Sequence, residues 1–525
     1  MEEETLTLSP LFLPTLIIIL FLTIILLKKK LAHTTPGPTL PPGPTKLPII
    51  GNLHQLAFSS LLPHHRFRDL AQQHGPDGLM HLQIGETSNV VVSSPEIAQL
   101  FMKAHDLNFA TRPIVQSASI ILYDHRDVAF APYGEYWRQM RKICTLELMS
   151  TKRVGSQRPI REEEVRKAMV GSIRPGEVVN LGRILGSLVC KIIWRAAFGG
   201  VEAREMEEAS IDPPIQSICH LYVQALGELS LRDVFPSSWV MKMVAGRNDR
   251  RLKKLHAESD TILQEIIDAH VSRRRSDVDR AAGGGDDQDL VDVLLNFTHD
   301  QAVAAGGFSV TDFEIKAVIT DIFFGGTHTS SVTIEWVMSE LMRNPEEMEK
   351  AQKEVRRVFD GKGKAVDEAS IDELHYMKLI VRETLRLHPP LPLLVPRESR
   401  ETVVIKGYQI PAKTKVAINV WAIGRDPAYW IEPDKFMPER FVNSPVNYNG
   451  DDFQLLPFGA GRRMCPGVKT GMAIVHLAVA NLLYHFDWKL PNEMKPEDLD
   501  MTEVFGIVVG RKNDLHLIPT PYRAP

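Results

Sequence analysis

Cys465 sits in the run Pro457-Phe458-Gly459-Ala460-Gly461-Arg462-Arg463-Met464-Cys465-Pro466-Gly467. A cysteine acts as nucleophile or metal ligand through its thiolate, and neighbouring positive charge favours that form. Arg463, two residues from the sulfur, and Arg462, three residues from it, are therefore expected to help ionise it. The glycines allow sharp turns, and Pro466 fixes its own φ and donates no backbone hydrogen bond. A thiolate held on such a short, rigid loop is suited to be an axial ligand of haem iron. The plainer reading of Cys465 is a small buried hydrophobe. A dinucleotide loop is excluded, because Met464 stands where the third glycine of Gly-x-Gly-x-x-Gly belongs.

Three other constellations carry chemistry. Phe323-Phe324-Gly325-Gly326-Thr327-His328-Thr329-Ser330-Ser331 lies mid-way between a capping box, Thr311-Asp-Phe-Glu314, and a stop, Asn344-Pro345. Glycines and hydroxyls weaken a helix interior, and broken local rules tend to mark functional sites. A groove beside Gly325 and Gly326 would hold dioxygen and water, with a hydroxyl aimed at them. Trp137 and Arg141 stand at i and i+4 of a second helix, so an indole N–H and a guanidinium face the same way and suit a carboxylate. A core tryptophan beside a solvated arginine fits that spacing equally well. Glu383 and Arg386 at i and i+3 form a helix pair that, taken alone, is an ordinary surface ion pair.

The elements around these residues follow from periodicity. Gly78 to Ser93 alternates and contains Val90-Val91-Val92, which predicts strands, and Pro95 to His105 predicts a helix. Phe109-Ala-Thr-Arg-Pro113 and the chain to Pro132 read as a long surface loop, where substrate contacts concentrate. Met472 to Leu483 predicts a buried helix behind the cysteine loop, and Phe505 to Val509 an apolar strand.

The pattern Phe458-x-x-Gly461-x-Arg463-x-Cys465-x-Gly467 resembles the haem-binding loop of cytochrome P450 monooxygenases, and the remaining motifs fall in that family's order from residue 40 onward. The nearest resemblance is to the plant microsomal type, in the clan that decorates terpenoids, alkaloids and phenolics. It implies a mainly α fold with small β-sheets, one catalytic domain over residues 51–525, and haem b with Cys465 as axial thiolate. Trp137, Arg141 and Arg397 would meet the haem propionates, and Phe458 and Arg463 would contact the cofactor from the cysteine loop. Thr329 matches the oxygen-activating threonine. His328 stands where the family has an acid, so proton delivery would fall to an imidazole. Glu383, Arg386 and Arg440 match a buried ion network that serves folding. Ile120, Ile121, Phe323, Phe324, Gly325 and Val395 are expected to line the substrate pocket.

The implied reaction places one atom of O2 in a C–H or C=C bond of a small lipophilic substrate, most simply a terpenoid. No flavin segment is apparent, so the implied electron donor is a separate NADPH–cytochrome P450 reductase. A haem-thiolate isomerase or dehydratase, and an interaction protein without catalysis, are the other readings.

Bulk properties set the remaining limits. The 525-residue length alone would allow about three domains. A net charge of -4 gives no basis for nucleic-acid binding. The cysteines Cys144, Cys190, Cys219 and Cys465 contain no close metal-type pair and make a poor disulfide framework. Leu6 to Leu27 is long and apolar enough to cross a bilayer, with Glu2, Glu3 and Glu4 before it and Lys28, Lys29 and Lys30 after it. By the positive-inside rule the catalytic bulk is expected in the cytosol, and the resemblance to the microsomal type implies a single-pass protein of the endoplasmic reticulum membrane. Residues 1–30 thus form a luminal tail and anchor, and residues 31–50 a proline-rich hinge.

Overall fold

The chain was analysed as a computed structural model that describes residues 39–57, 59–199, 214–278, 288–298, 308–360 and 366–522. The expected anchor and the first prolines of the hinge lie outside the described residues. Among the described residues no helix is long and apolar enough to cross a membrane.

The organising element is the central helix Asp312–Arg343, 32 residues long, which spans about 48 Å at the α-helical rise. Its start is fixed as the sequence predicts: the Glu314 carboxylate accepts the Thr311 backbone N–H at 2.8 Å. The helix is buried over most of its length and packs against the helices Leu181–Phe198 and Val468–His485. Its mid-helix glycines serve different ends. At Gly326 an added Cβ would lie 3.0 Å from Ile193 Cδ1, so this glycine permits close crossing by the neighbouring helix. At Gly325 a Cβ would meet nothing within 4 Å, because that side is open.

The predicted strands form as Leu79–Ile84 and Thr87–Val92 in a four-stranded sheet with Lys415–Ile418 and Arg397–Glu398. Val90 pairs in parallel with Val416, and Val416 pairs antiparallel with Arg397. Val90, Val91 and Val92 are buried, as β-branched residues on a packed sheet should be. A three-stranded sheet of Val179–Asn180, His516–Pro521 and Phe486–Lys489 and a hairpin of Val403–Ile405 with Tyr408–Ile410 complete the small β content.

Two expectations are corrected. The segment from Phe109 to Pro132 is largely an internal wall and not a surface loop: Phe109, Ala110, Arg112 and Phe130 are buried, and Gln116–Ile121 is helical. Phe505 to Val509 is no strand. It is the tip of a loop closed by the pairing of Glu503 with Arg511, and Val509 N–H donates to the Pro390 carbonyl instead of to a strand partner.

Candidate active site

The cysteine loop is rigid for identifiable reasons. Gly459 and Gly461 adopt φ of 68° and 67°, the left-handed region that glycine enters without penalty. A Cβ at Gly461 would lie 2.3 Å from the Met102 carbonyl oxygen and 2.6 Å from Asp106 Oδ1. The Cys465 N–H donates to the Phe458 carbonyl at 3.0 Å, which closes the loop back on itself. Cys465 is the one exposed cysteine of the four. Protein nevertheless surrounds it, and its free surface looks into an internal cavity that encloses about 1700 Å³ of non-atom space, part of it continuous with solvent.

The predicted ionisation of the sulfur has the wrong helpers. Arg463 turns away: its guanidinium donates to the carbonyls of Ala110, Val128 and Ala131 at 2.6, 3.1 and 2.5 Å and lies 4.1 Å over the Trp137 ring. Arg462 is exposed, and its backbone N–H is held by Asp106 at 3.1 Å. Burial pushes the Cys465 thiol up from its ordinary value, while the Gly467 N–H and Arg141 pull it down. Arg141 belongs to the helix Glu135–Ile143 and donates to the Met464 carbonyl beside the sulfur.

Around the cavity stand Arg112, Arg141, Arg397 and Arg463. Burial lowers all of them from the ordinary guanidinium value, and mutual repulsion adds to it for Arg112 and Arg463, the latter falling to about 9. Arg397 is pinned by Asp106 at 2.9 Å and by the Ala460 carbonyl at 2.7 Å. Arg112 donates to the carbonyls of Ala129 and Pro396 at 2.9 and 3.0 Å. Trp137 Nε1 donates to the Val128 carbonyl at 3.0 Å. A buried cluster of like charges calls for an anionic ligand. Phe324, Gly325 and Thr329 of the central helix also line the cavity, and Val395, Leu391 and Val508 add apolar wall. A cysteine on a rigid loop, guanidinium groups in excess of their acids, glycines that leave room and apolar walls together fit a haem with its two carboxylates.

The cavity therefore brings together Cys465, Phe458, Arg463, Trp137, Arg141, Arg397, Thr329, Phe324, Gly325 and Val395. It does not include four other expected residues. His328 turns outward toward His220, ring centroids 5.4 Å apart, and burial lowers its pKa to about 4, so it is a neutral imidazole away from the cavity wall. Phe323 stacks on Phe198 at 5.3 Å on the other side of the helix. Ile120 and Ile121 pack behind Phe324 and Val508 without reaching the cavity. Glu383, Arg386 and Arg440 lie apart from it as a buried network. Arg386 grips Glu383 through two 2.7 Å bonds, and Arg440 adds a third at 3.0 Å.

Sequence reasoning missed Arg112, Asp106 and Asp321. Asp321 lines the cavity and precedes Gly325 and Thr329 by one and two helical turns. That i, i+4, i+8 spacing was the available signal. Asp106 carries no local pattern at all.

The comparisons agree with the geometry. The Cytochrome P450 family model matches residues 41–518. Cytochrome P450 71D10 of Glycine max is 48% identical over 97% of this chain and 96% of its own. Premnaspirodiene oxygenase of Hyoscyamus muticus is 45% identical over 96% of this chain and 98% of its own. Costunolide synthase of Lactuca sativa is 45% identical over 91% and 93%. A zebra fish cytochrome P450 solved with progesterone superposes with a TM-score of 0.70 over 88% of this chain and 100% of that one, at 24% identity. Its likeness bears on the fold alone. With a family match over nearly its whole length and a cysteine aimed into a guanidinium-rimmed cavity, the chain belongs to the cytochrome P450 family of monooxygenase oxidoreductases.

Proposed function

We propose that the protein is an NADPH- and O2-dependent monooxygenase that hydroxylates or epoxidises a small lipophilic plant metabolite of the terpenoid class. The observation that carries this reading is that Cys465 lines a largely apolar cavity together with Gly325 and Thr329. Two of the similar proteins bear the names premnaspirodiene oxygenase and costunolide synthase, and this reading takes the substrate class from them.

Haem bound at Cys465 supplies the reductive activation of O2, with two electrons and two protons consumed for each oxygen atom inserted and each water released. The chain's own residues prepare the site. The Gly467 N–H and Arg141 favour the sulfur anion against burial. Arg112, Arg141, Arg397 and Arg463 would balance the haem carboxylates. Thr329 donates its hydroxyl hydrogen to the Gly325 carbonyl at 2.6 Å. Its oxygen is left to accept a hydrogen from water or a substrate hydroxyl in the cavity. Phe324, Leu391, Val395 and Val508 exclude water and accept a hydrocarbon skeleton. His328, neutral and facing His220, does not line the cavity, so this reading assigns it no step.

Exposed cations on the cysteine side, namely Arg138, Lys142, Arg462 and Lys469, suit an acidic reductase surface. Trp239, Met243 and Val244 are 70%, 67% and 59% exposed, and such a patch suits a membrane surface next to an N-terminal anchor. The test is reconstitution with the reductase, NADPH and 18O2 in the presence of extracted lipophilic plant metabolites. Products heavier by one labelled oxygen are expected, and turnover that continues without NADPH or reductase would contradict the proposal.

A further inference from the structure

Asp127 and Asp321 meet across the cavity wall. Asp321 Oδ2 accepts the backbone N–H groups of Val128 and Ala129 at 2.6 and 3.0 Å. Asp127 Oδ2 accepts the Phe130 N–H at 2.6 Å. The second oxygen of each carboxyl, Oδ1, is buried and receives no N–H or hydroxyl donor. The two carboxyl groups nonetheless lie close enough to act directly on one another. Two acceptor oxygens can bond only through a proton.

The groups that face the pair do not remove the need for that proton. Arg112 and Arg463 are the nearby cations, and Tyr136 and Cys144 face it as neutral groups. The hydrogen bonds of Arg463 run to the carbonyls of Ala110, Val128 and Ala131, and those of Arg112 to Ala129, Val395 and Pro396. Neither donates to a carboxyl of the pair. Burial raises both acids above the ordinary carboxyl range, and the neighbouring Asp321 charge raises Asp127 further, while the backbone N–H groups and Asp127 pull Asp321 part of the way back.

The same peptides that bind the two carboxyls organise the cation rim. The Val128 carbonyl accepts from both Trp137 and Arg463, and the Ala129 carbonyl accepts from Arg112. We propose that Asp127 and Asp321 share one proton, and that this bridged pair is the positioning element that sets Arg112 and Arg463 for the haem carboxylates. The second half rests on the haem reading of the cavity, and the first half does not.

The pH dependence has a definite sign. The bridged pair keeps a proton that both acids lose once the loop is released. Its hold is therefore strongest on the acid side, and it weakens by up to about tenfold per pH unit between the ordinary carboxyl range and the raised value of the pair. Above that it stays weak, because two buried like charges repel.

Asp127→Asn and Asp321→Asn replace the shared proton with an amide N–H and can keep the backbone bonds. The infrared spectrum of the full-length protein as purified should show a protonated-carboxyl C=O band that disappears on raising the pH and is absent from both variants. Haem retention by the holoprotein should fall from about pH 5 to about pH 9 in the native chain, and should change less than about twofold in either variant over that window. Asp321→Ala, which has no group to hold Val128 and Ala129, should lose haem at every pH. No carboxyl band, or the same haem-retention profile in native and asparagine proteins, would overturn the proposal. A chain that bound no haem at any pH would count against the haem reading, while the carboxyl band would still decide the shared proton.

Discussion

At the scale of single residues, two glycines behave oppositely. Gly461→Ala forces an alanine to φ near 67° with its Cβ 2.3 Å from a carbonyl oxygen. The strain is at least about 1–2 kcal/mol, and the purified protein should lose most of its haem. Gly325→Ala has open space for its Cβ, so it should raise helix stability by up to about 1 kcal/mol and show its cost only as weaker substrate binding in a spectral titration. Thr329→Ala should leave haem content unchanged and lower product formed per NADPH by roughly tenfold, since cavity water replaces only part of a positioned proton path. Unchanged coupling would remove Thr329 from that path. Residue identity at this scale was readable where spacing fixes the neighbours, as in the cysteine loop. It was not readable for Arg463 and His328, because a sequence gives the helix or turn but not what packs on each side of it. Arg463 beside the sulfur in sequence points to three carbonyls, and His328 beside Thr329 points to His220.

At the scale of elements, the central helix was legible from end to end, since its capping box and its Asn-Pro stop are local signals. The wall made by residues 109–132 was not, because its polar backbone is satisfied by distant partners such as Asp321 and Arg463. The helix His375–Leu387 carries the sharpest prediction. Glu383 is 0% exposed and holds two arginines. Glu383→Ala leaves Arg386 buried without a carboxylate, which should cost about 3–5 kcal/mol. Thermal unfolding and haem content should fall together, and a protein that kept its unfolding midpoint would show that the carbonyls of Gly424 and Pro433 suffice for Arg386.

At the scale of the whole molecule, widely separated stretches converge on one cavity. The helix Glu135–Ile143 brings Trp137 and Arg141, the sheet edge brings Arg397, the central helix brings Thr329, and the loop before Val468–His485 brings Cys465. Such convergence is invisible to periodicity and became readable only through a long motif whose order along the chain matched a known family. The central claim is one bond between the Cys465 sulfur and haem iron. Its most direct measurement is the absorption spectrum of the reduced, carbon monoxide-treated protein, compared with Cys465→Ser. The native protein should show the red-shifted Soret band of sulfur-anion ligation and the variant should not. A folded, haem-loaded native protein without that band would contradict the account.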